Sequence, residues 1–368
     1  MKVYAVGGSV RDELLGLPVA DRDWVVVGAT PAEMQQRGFR AVGSDFPVFL
    51  HPETHEEYAL ARTERKTAPG YKGFTFHASP EVSLEDDLRR RDLTINAIAR
   101  GEDGALVDPY GGAEDLRRGI LRHVGEAFVE DPVRILRVSR FAARFGFAVA
   151  EETLELMRRM VRSGEADHLV PERVWQEIAR GLQEPRPARM IEVLRECGAL
   201  SRVLPEVEAL AAQDGAHHLP ARLQASTAFA LPVRFACLTV GLAPEAVTKL
   251  CERINAPGEC RDLAVLAARE RAATEGSGAL GAEALLGLLE RTDAFRRPER
   301  LERLMDVCEC DMLSRDLARK VNRERLRSAR AAALSVDAAT VAREQPQSVP
   351  GAIHAARAAR IAEALAGN

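Results

Sequence analysis

Nowhere in the 368 residues does an apolar run approach the roughly 18 that a membrane-spanning helix needs. The opening "MKVYAVGGSVRDELLG" has no uninterrupted apolar core either, because Gly7, Gly8, Arg11 and Asp12 break it. It does not read as a secretory leader, and a cytoplasmic protein without membrane contact is expected. Basic excess is missing as well. Lys and Arg total 51 against 55 Asp and Glu, a formal charge of −4, so an anionic partner must be met by a local basic patch. The six cysteines, Cys197, Cys237, Cys251, Cys260, Cys308 and Cys310, all fall in the C-terminal half. Their one close pair, "CEC", lacks zinc spacing and has no matching pair, which leaves reduced, buried thiols as the expectation. No repeat recurs at a fixed period.

What is present is an ordinary globular composition, 46% hydrophobic and 29% charged, in a chain long enough for two or more domains. Residues 1 to 124 mix strand-like "KVYAV", "DWVVV" and "EEYALAR" with short helical stretches "SVRDELLGL" and "TPAEMQQRG". From "EAFVEDPVRILRVSRFAARFGF" onward the apolar period becomes three and four, with breaks at "EPRP", "HHLP" and "NAPG". The fold class is α+β, a small mixed head (1–124) followed by a helical neck and body (125–210) and a helical C-terminal region (211–368). "AREQPQSVPG", residues 342 to 351, reads as a linker before a last Ala-rich helix.

Two motifs near the start carry chemistry. "VGGSVRD", residues 6 to 12, is a strand, a Gly-Gly turn and a helix start. Glycines let backbone N–H groups approach an anion, and a helix N-terminus adds about half a positive charge. Gly8 and Arg11 are the candidate phosphate contacts. "ADRDWVVVG" follows, with Asp21 and Asp23 at the mouth of a buried strand. Residues two apart on a strand share a face, and paired carboxylates repel unless a cation such as Mg²⁺ lies between them.

Together "VGGSVRDELLGLPVADRDWVVVG", "LRRRDLTINAIA" (88–99), "VDPYGG" (107–112) and "EDPVRILRVSRFAARFGF" (130–147) resemble class II nucleotidyltransferases. That family holds bacterial tRNA CCA-adding enzymes and bacterial poly(A) polymerases. "GSDFPVFLHPETHEEYALARTERK" is similar to the CCA-adding branch, and a basic segment expected of poly(A) polymerases is missing. The resemblance implies template-independent addition of CCA to tRNA from CTP and ATP. It also implies that Asp21 and Asp23 bind two Mg²⁺ ions, with Glu57 as a third carboxylate or a structural ion-pair partner. In "RRD", Asp92 would accept from a ribose hydroxyl and Arg91 would pair with phosphate, while Asn96 supports Asp92 or caps a turn.

Pro132 after Asp131 marks a helix start, and Asp131, Arg134, Arg137 and Arg140 then recur at three-residue steps along one side. Cytosine and adenine each present an amino donor beside a ring-nitrogen acceptor, whereas uracil and guanine present a carbonyl beside a ring N–H. By the resemblance, Asp131 with Arg134 accepts either C or A and rejects U and G, and Arg137 and Arg140 hold the triphosphate. The Gly- and Pro-rich "TAPGYKGFTFHASP" (67–80) is similar to the family's flexible loop, whose presence favours full CCA addition. A poly(A) polymerase, or an RNA-binding module without catalysis, are the alternatives.

Relatives often carry a C-terminal HD phosphohydrolase domain, yet none of the eight histidines here precedes an aspartate. His217 and His218 read as a helix-end or loop pair. Arg315, Arg319, Lys320, Arg323, Arg325, Arg327 and Arg330 form a candidate tRNA-backbone patch or a surface helix. Without a His-Asp dyad, the purified protein is expected to leave 2′,3′-cyclic nucleotides intact, with or without added Ni²⁺. Robust metal-dependent hydrolysis co-purifying with it would show ligands that this reading misplaced.

Overall fold

The structure, a computed structural model, describes residues 1–19, 21–42, 48–66, 74–213, 218–317 and 320–366. Valine-rich segments favour extended backbone, and β1 (Lys2–Val6) pairs antiparallel with β2 (Asp23–Val27), placing Val6 opposite Asp23. Next come β3 (Arg40–Val42), β4 (Val48–Leu50) and β5 (Glu57–Leu60), the last parallel to β2 with Glu57 opposite Asp23. β6 (Arg62–Lys66) and β7 (Phe74–Ala78) form a separate antiparallel pair. With β8 (Ala99–Gly101) and β9 (Leu106–Val107) the main sheet has seven strands in the order β3-β4-β5-β2-β1-β8-β9. A short parallel pair joins β10 (Ile120–Leu121) to β11 (Ala148–Val149). The expected loop over 67–80 is therefore corrected, since 74–78 is strand; residues 67–73 lie outside the described residues.

Alternation along β2 sorts its side chains between two cores. Val25 packs with Val6, Leu88 and Ala97 on one face, and Val26 packs with Met34, Phe49 and Leu60 on the other. Asp23 shares the parity of Val25 and projects from that first face. α1 (Gly8–Leu14) follows the Gly-Gly turn. α2 (Pro31–Gln36) starts with a capping box in which Thr30 Oγ1 accepts from the Glu33 N–H and the Glu33 carboxylate accepts from the Thr30 N–H. The remaining helices before residue 204 are α3 (Leu84–Arg89), α4 (Gly112–Arg118), α5 (Val133–Phe145), α6 (Glu151–Arg162), α7 (Pro171–Gln183), α8 (Pro187–Glu196) and α9 (Leu200–Val203).

The chain divides into two compact units, residues 1–181 with 189–203, and 182–188 with 204–368. No division occurs at residue 124. Head and neck form one unit because α5 is tied back to the head by its arginines, Arg137 to Asp92 and Arg144 to Asp12.

The second unit is all helix: α10 (Pro205–Ala211), α11 (His218–Ala225), α12 (Leu231–Thr239), α13 (Pro244–Arg253), α14 (Gly258–Glu275), α15 (Ala282–Arg291), α16 (Pro298–Ser314), α17 (Arg323–Leu334), α18 (Ala338–Glu344) and α19 (Val349–Ala366). The linker expected over 342–351 shrinks to the few residues between α18 and α19. All six cysteines are free and buried, and burial pushes the Cys197 thiol up to about 11. No described helix is long and apolar enough to cross a membrane.

Inside this unit Asp311, 2% exposed, accepts from Arg222 at 2.8 Å and from Arg271 at 2.8 Å, with Arg315 at 2.9 Å. Arg222 also donates to the carbonyl oxygens of Cys237 and Val240. A buried ion pair contributes little net stability, but removing one member strands the other charge. Asp311→Ala should therefore destabilise the second unit by about 3–5 kcal/mol, read as faster hydrogen exchange along α16 in urea. A change below about 1 kcal/mol would show that the cluster is dispensable.

Candidate active site

Gly7 adopts a φ of 72°, and a Cβ there would lie 2.7 Å from Arg91 Nη1. Only glycine meets both the left-handed backbone and the close guanidinium. Arg91 in turn donates to the Asn96 carbonyl and to Asp87, each at 3.4 Å. Its Nε is buried with no hydrogen-bond partner among the described residues.

Beside this turn runs a closed ring of charge. From α5, Arg144 donates to Asp12 at 2.9 Å, and Asp12 also accepts from Arg11 Nε at 2.9 Å. Arg11 Nη1 donates to the Asn96 side-chain oxygen at 2.6 Å, and the Asn96 amide donates to Asp92 at 2.9 Å. Arg137 Nε closes the ring on the other Asp92 oxygen at 2.7 Å, again from α5. Arg11, 4% exposed, also lies over the rings of Phe141 and Phe145, 5.2 and 5.1 Å from their centroids. Burial lowers the Arg11 pKa and Asp12 opposes it. Burial alone would raise the Asp92 carboxyl, but Arg137 and the Asn96 hydrogen bond outweigh it and hold the group well below the usual carboxylate range.

Asp131 is held by Arg173. Its two oxygens accept from Arg173 at 3.0 and 2.8 Å, a bidentate contact reaching α7, and Oδ1 also accepts from the Val133 N–H. Arg134 donates to the carbonyl oxygens of Ala127 and Arg90 at 2.8 and 2.7 Å. Arg140 departs from expectation. It is 7% exposed, pairs with Glu177 at 2.6 Å and does not line the cavity that the other candidates share. Three-residue steps drift around a helix, so by the third step the side chain has turned towards α7.

That cavity, about 440 Å³, is lined by Gly7, Gly8, Asp23, Asn96 and Phe141 with Asp92, Asp131 and six arginines: Arg11, Arg90, Arg91, Arg134, Arg137 and Arg173. Its wall carries six guanidiniums and three carboxylates, with Asp12 and the buried Asp87 behind it pairing with Arg11, Arg90 and Arg91. Arg173, Arg90 and Gly7 were not among the sequence candidates, and Arg173 had no signal to find it by, lying 42 residues from its partner. A larger cavity, about 690 Å³, opens among Trp24, Phe39, His51 and Tyr58 on the opposite face of the sheet from Asp23.

Asp21 and Asp23 are exposed, and neither makes an ion pair or side-chain hydrogen bond among the described residues. Two uncommitted hard-oxygen donors two residues apart, one of them lining the arginine-rich cavity, fit a divalent cation shared with a phosphate. Glu57 adjoins Asp23 in strand register, yet no three His, Cys, Asp or Glu side chains among the described residues converge on one ion position.

In the second unit the candidate basic patch is largely spent. Arg323 pairs with Glu309 and Asp306, Arg327 with Glu302, and Arg315 with Glu275 and Asp311. Arg325 and Arg330 donate to the carbonyl oxygens of Leu280 and Ala294. Lys320 is exposed, Arg319 and His217 lie outside the described residues, and His218 begins α11 with Nδ1 2.9 Å from the Ser314 carbonyl.

The "Poly A polymerase head domain" model matches residues 3–122, and "Probable RNA and SrmB- binding site of polymerase A" matches residues 146–210. A "Multifunctional CCA protein" of Aromatoleum aromaticum is 55% identical over 398 aligned residues, covering 98% of each chain. The protein of that name from Burkholderia cenocepacia is 53% identical, covering 100% of this chain and 99% of its own. The chain belongs to the bacterial CCA-adding nucleotidyltransferase family. Its fold is similar to that of the Bacillus stearothermophilus CCA-adding enzyme in complex with CTP, with a TM-score of 0.67 and 27% identity over 98% of this chain and 88% of that one. Nucleotidyl transfer in the family uses divalent metal.

Asp92 sets an acid limit on this site. Its folded pKa lies below the unfolded value of about 3.9, so the stabilisation is complete above that value and fades as pH falls further. Asp92→Asn should lower stability at pH 6 and flatten the loss between about pH 4 and 3, measured by urea midpoints. An acid limb as steep as the parent's would remove the carboxylate from this role.

Proposed function

We propose that this chain extends tRNA 3′ ends with C, C and A, taking CTP and ATP in the 440 Å³ cavity of the first unit. The single observation that supports this most is the meeting of the uncommitted carboxylate Asp23 with six guanidiniums around one hollow. In the reaction the RNA 3′-hydroxyl attacks the α-phosphorus, one P–O bond forms, and pyrophosphate leaves as another breaks. Asp21 and Asp23 would hold Mg²⁺, whose charge would lower the pKa of the hydroxyl and offset that of the triphosphate. A tRNA substrate fits a cytoplasmic location.

The chain's own side chains orient and discriminate. Arg91, with its unpaired buried Nε, and Arg137 face the triphosphate, and Gly8 leaves room for the phosphates at the turn. Arg11 stays tied to Asp12 and Asn96 and so positions the turn. Asp92, filled by Arg137, Asn96 and the Leu93 N–H, orients Arg137 and has lone pairs left for a ribose hydroxyl. Asp131, fixed by Arg173, accepts from the amino group of C or A, and Arg134 donates to the adjacent ring nitrogen. A wrong base leaves both groups unpaired in a desolvated site. The first unit thus houses catalysis and base choice, and the second contributes to tRNA binding.

One incorporation assay tests this, using a tRNA ending before CCA with each nucleotide alone and CTP with ATP together. The parent should add C, C and A. Asp21→Ala and Asp23→Ala should add nothing. Asp131→Ala and Arg134→Ala should lose about 1–3 kcal/mol for C and A alike while U and G gain relative to C. Addition of A alone would indicate a poly(A) polymerase, and unchanged selectivity in both base-site variants would remove the base-reading role.

A further inference from the structure

The second unit holds a groove of about 540 Å³ between α14, α15 and α16, lined by Arg261, Asp262, Arg269, Glu270, Arg291 and Arg300. The six charges are not mutually satisfied. Glu270, 7% exposed, is filled by a bidentate contact from Arg291 at 2.8 and 3.0 Å. Arg269 has no hydrogen bond or ion pair among the described residues. Arg300 stands 4.0 Å from Asp293, and Arg261 reaches only its own neighbour Asp262, at 3.4 Å. Three guanidiniums with weak partners or none therefore face one hollow against the single remaining carboxylate of Asp262.

We propose that this groove binds the phosphodiester backbone of tRNA, with Arg261, Arg269 and Arg300 as its contacts. The inference rests on the tRNA reading above and supplies that reading with a surface. In a chain of net charge −4, phosphate attraction has to be local. The arginine-rich α17 does not provide it, because Arg323 and Arg327 already face carboxylates of α16. Like charges gathered without counter-charge destabilise a surface, and anions arriving in the groove reverse that cost. Guanidiniums suit this ligand because their planar fork matches phosphate oxygens. Base identity is not read here, since the lining offers donors for any phosphate.

Equilibrium binding of a tRNA transcript, measured without CTP or ATP at a series of salt concentrations, tests the proposal. The triple variant Arg261→Gln, Arg269→Gln, Arg300→Gln should bind about tenfold or more weakly at 0.1 M salt. Its log affinity against log salt should be shallower by about 2. The corresponding triple lysine variant should recover most of the slope, because charge rather than packing carries the effect. Arg327→Gln should leave the slope unchanged. A glutamine triple with the parent's affinity and slope would overturn the proposal, as would lost affinity at an unchanged slope or a slope that moves with Arg327 instead. Failure of the unaltered protein to bind tRNA would overturn the functional reading too, a case that the incorporation assay identifies separately.

Discussion

The first unit depends on one closed circuit of hydrogen-bonded charge that leaves α5 at Arg137 and returns to it at Arg144. Between them it passes through Asp92, Asn96, Arg11 and Asp12. Seven residues separate the two arginines, two turns of helix, so both emerge from the same side and enclose Phe141 between them. Each buried carboxylate in the circuit faces a guanidinium, and Asn96 joins an acidic to a basic member through its carbonyl and amide ends. Truncating Arg137 would leave the buried Asp92 carboxylate without its guanidinium. The sheet's turn, the 92–96 segment and α5 are thereby held in one geometry, and the cavity forms where they meet.

That rigidity explains which groups are free to act. Asp12 and Asp92 are charge-paired with arginines, and Asp131 with Arg173, which fixes their direction and leaves only spare lone pairs for neutral donors. Asp21 and Asp23 have no such partner among the described residues, and Asp23 lines the cavity. A carboxylate already neutralised by a guanidinium is a poor metal ligand, whereas two exposed and uncommitted ones are suited to a hard cation. The guanidiniums lining the hollow then favour a polyphosphate over a neutral sugar or a bare metal ion.

Much of this arrangement was legible in the residues because strand and helix periods are local rules. Two-residue alternation placed Asp23 on the face of Val25, and Pro132 after Asp131 marked the start of α5. Pairing was not legible. Three-residue spacing put Asp131 and Arg134 on one side of the helix, but gave no hint that Asp131 is held by Arg173, 42 residues away on another helix. Arg140, one step beyond Arg137, finds Glu177 instead of the cavity. Clustered arginines from 315 to 330 looked available for RNA because the carboxylates that neutralise Arg323 and Arg327, namely Glu302, Asp306 and Glu309, lie on α16. Composition counts both signs without saying which charges meet.

Guanidinium is the commonest cationic group in the chain, so its role has to be decided by partner rather than by identity. Bidentate contacts such as Arg291 with Glu270, or Arg173 with Asp131, spend the donor fork on the protein and fix helix positions. Arg91 keeps one buried nitrogen unpaired, and Arg269 has no partner among the described residues. Burying a donor without an acceptor costs free energy in the isolated fold, a cost that applies to Arg91 and not to the exposed Arg269, whose donors meet water. The catalytic cavity and the α14 groove are therefore built differently: the first from arginines oriented by carboxylates around a hollow open to a nucleotide triphosphate, the second from solvated arginines open to the phosphates of a polynucleotide.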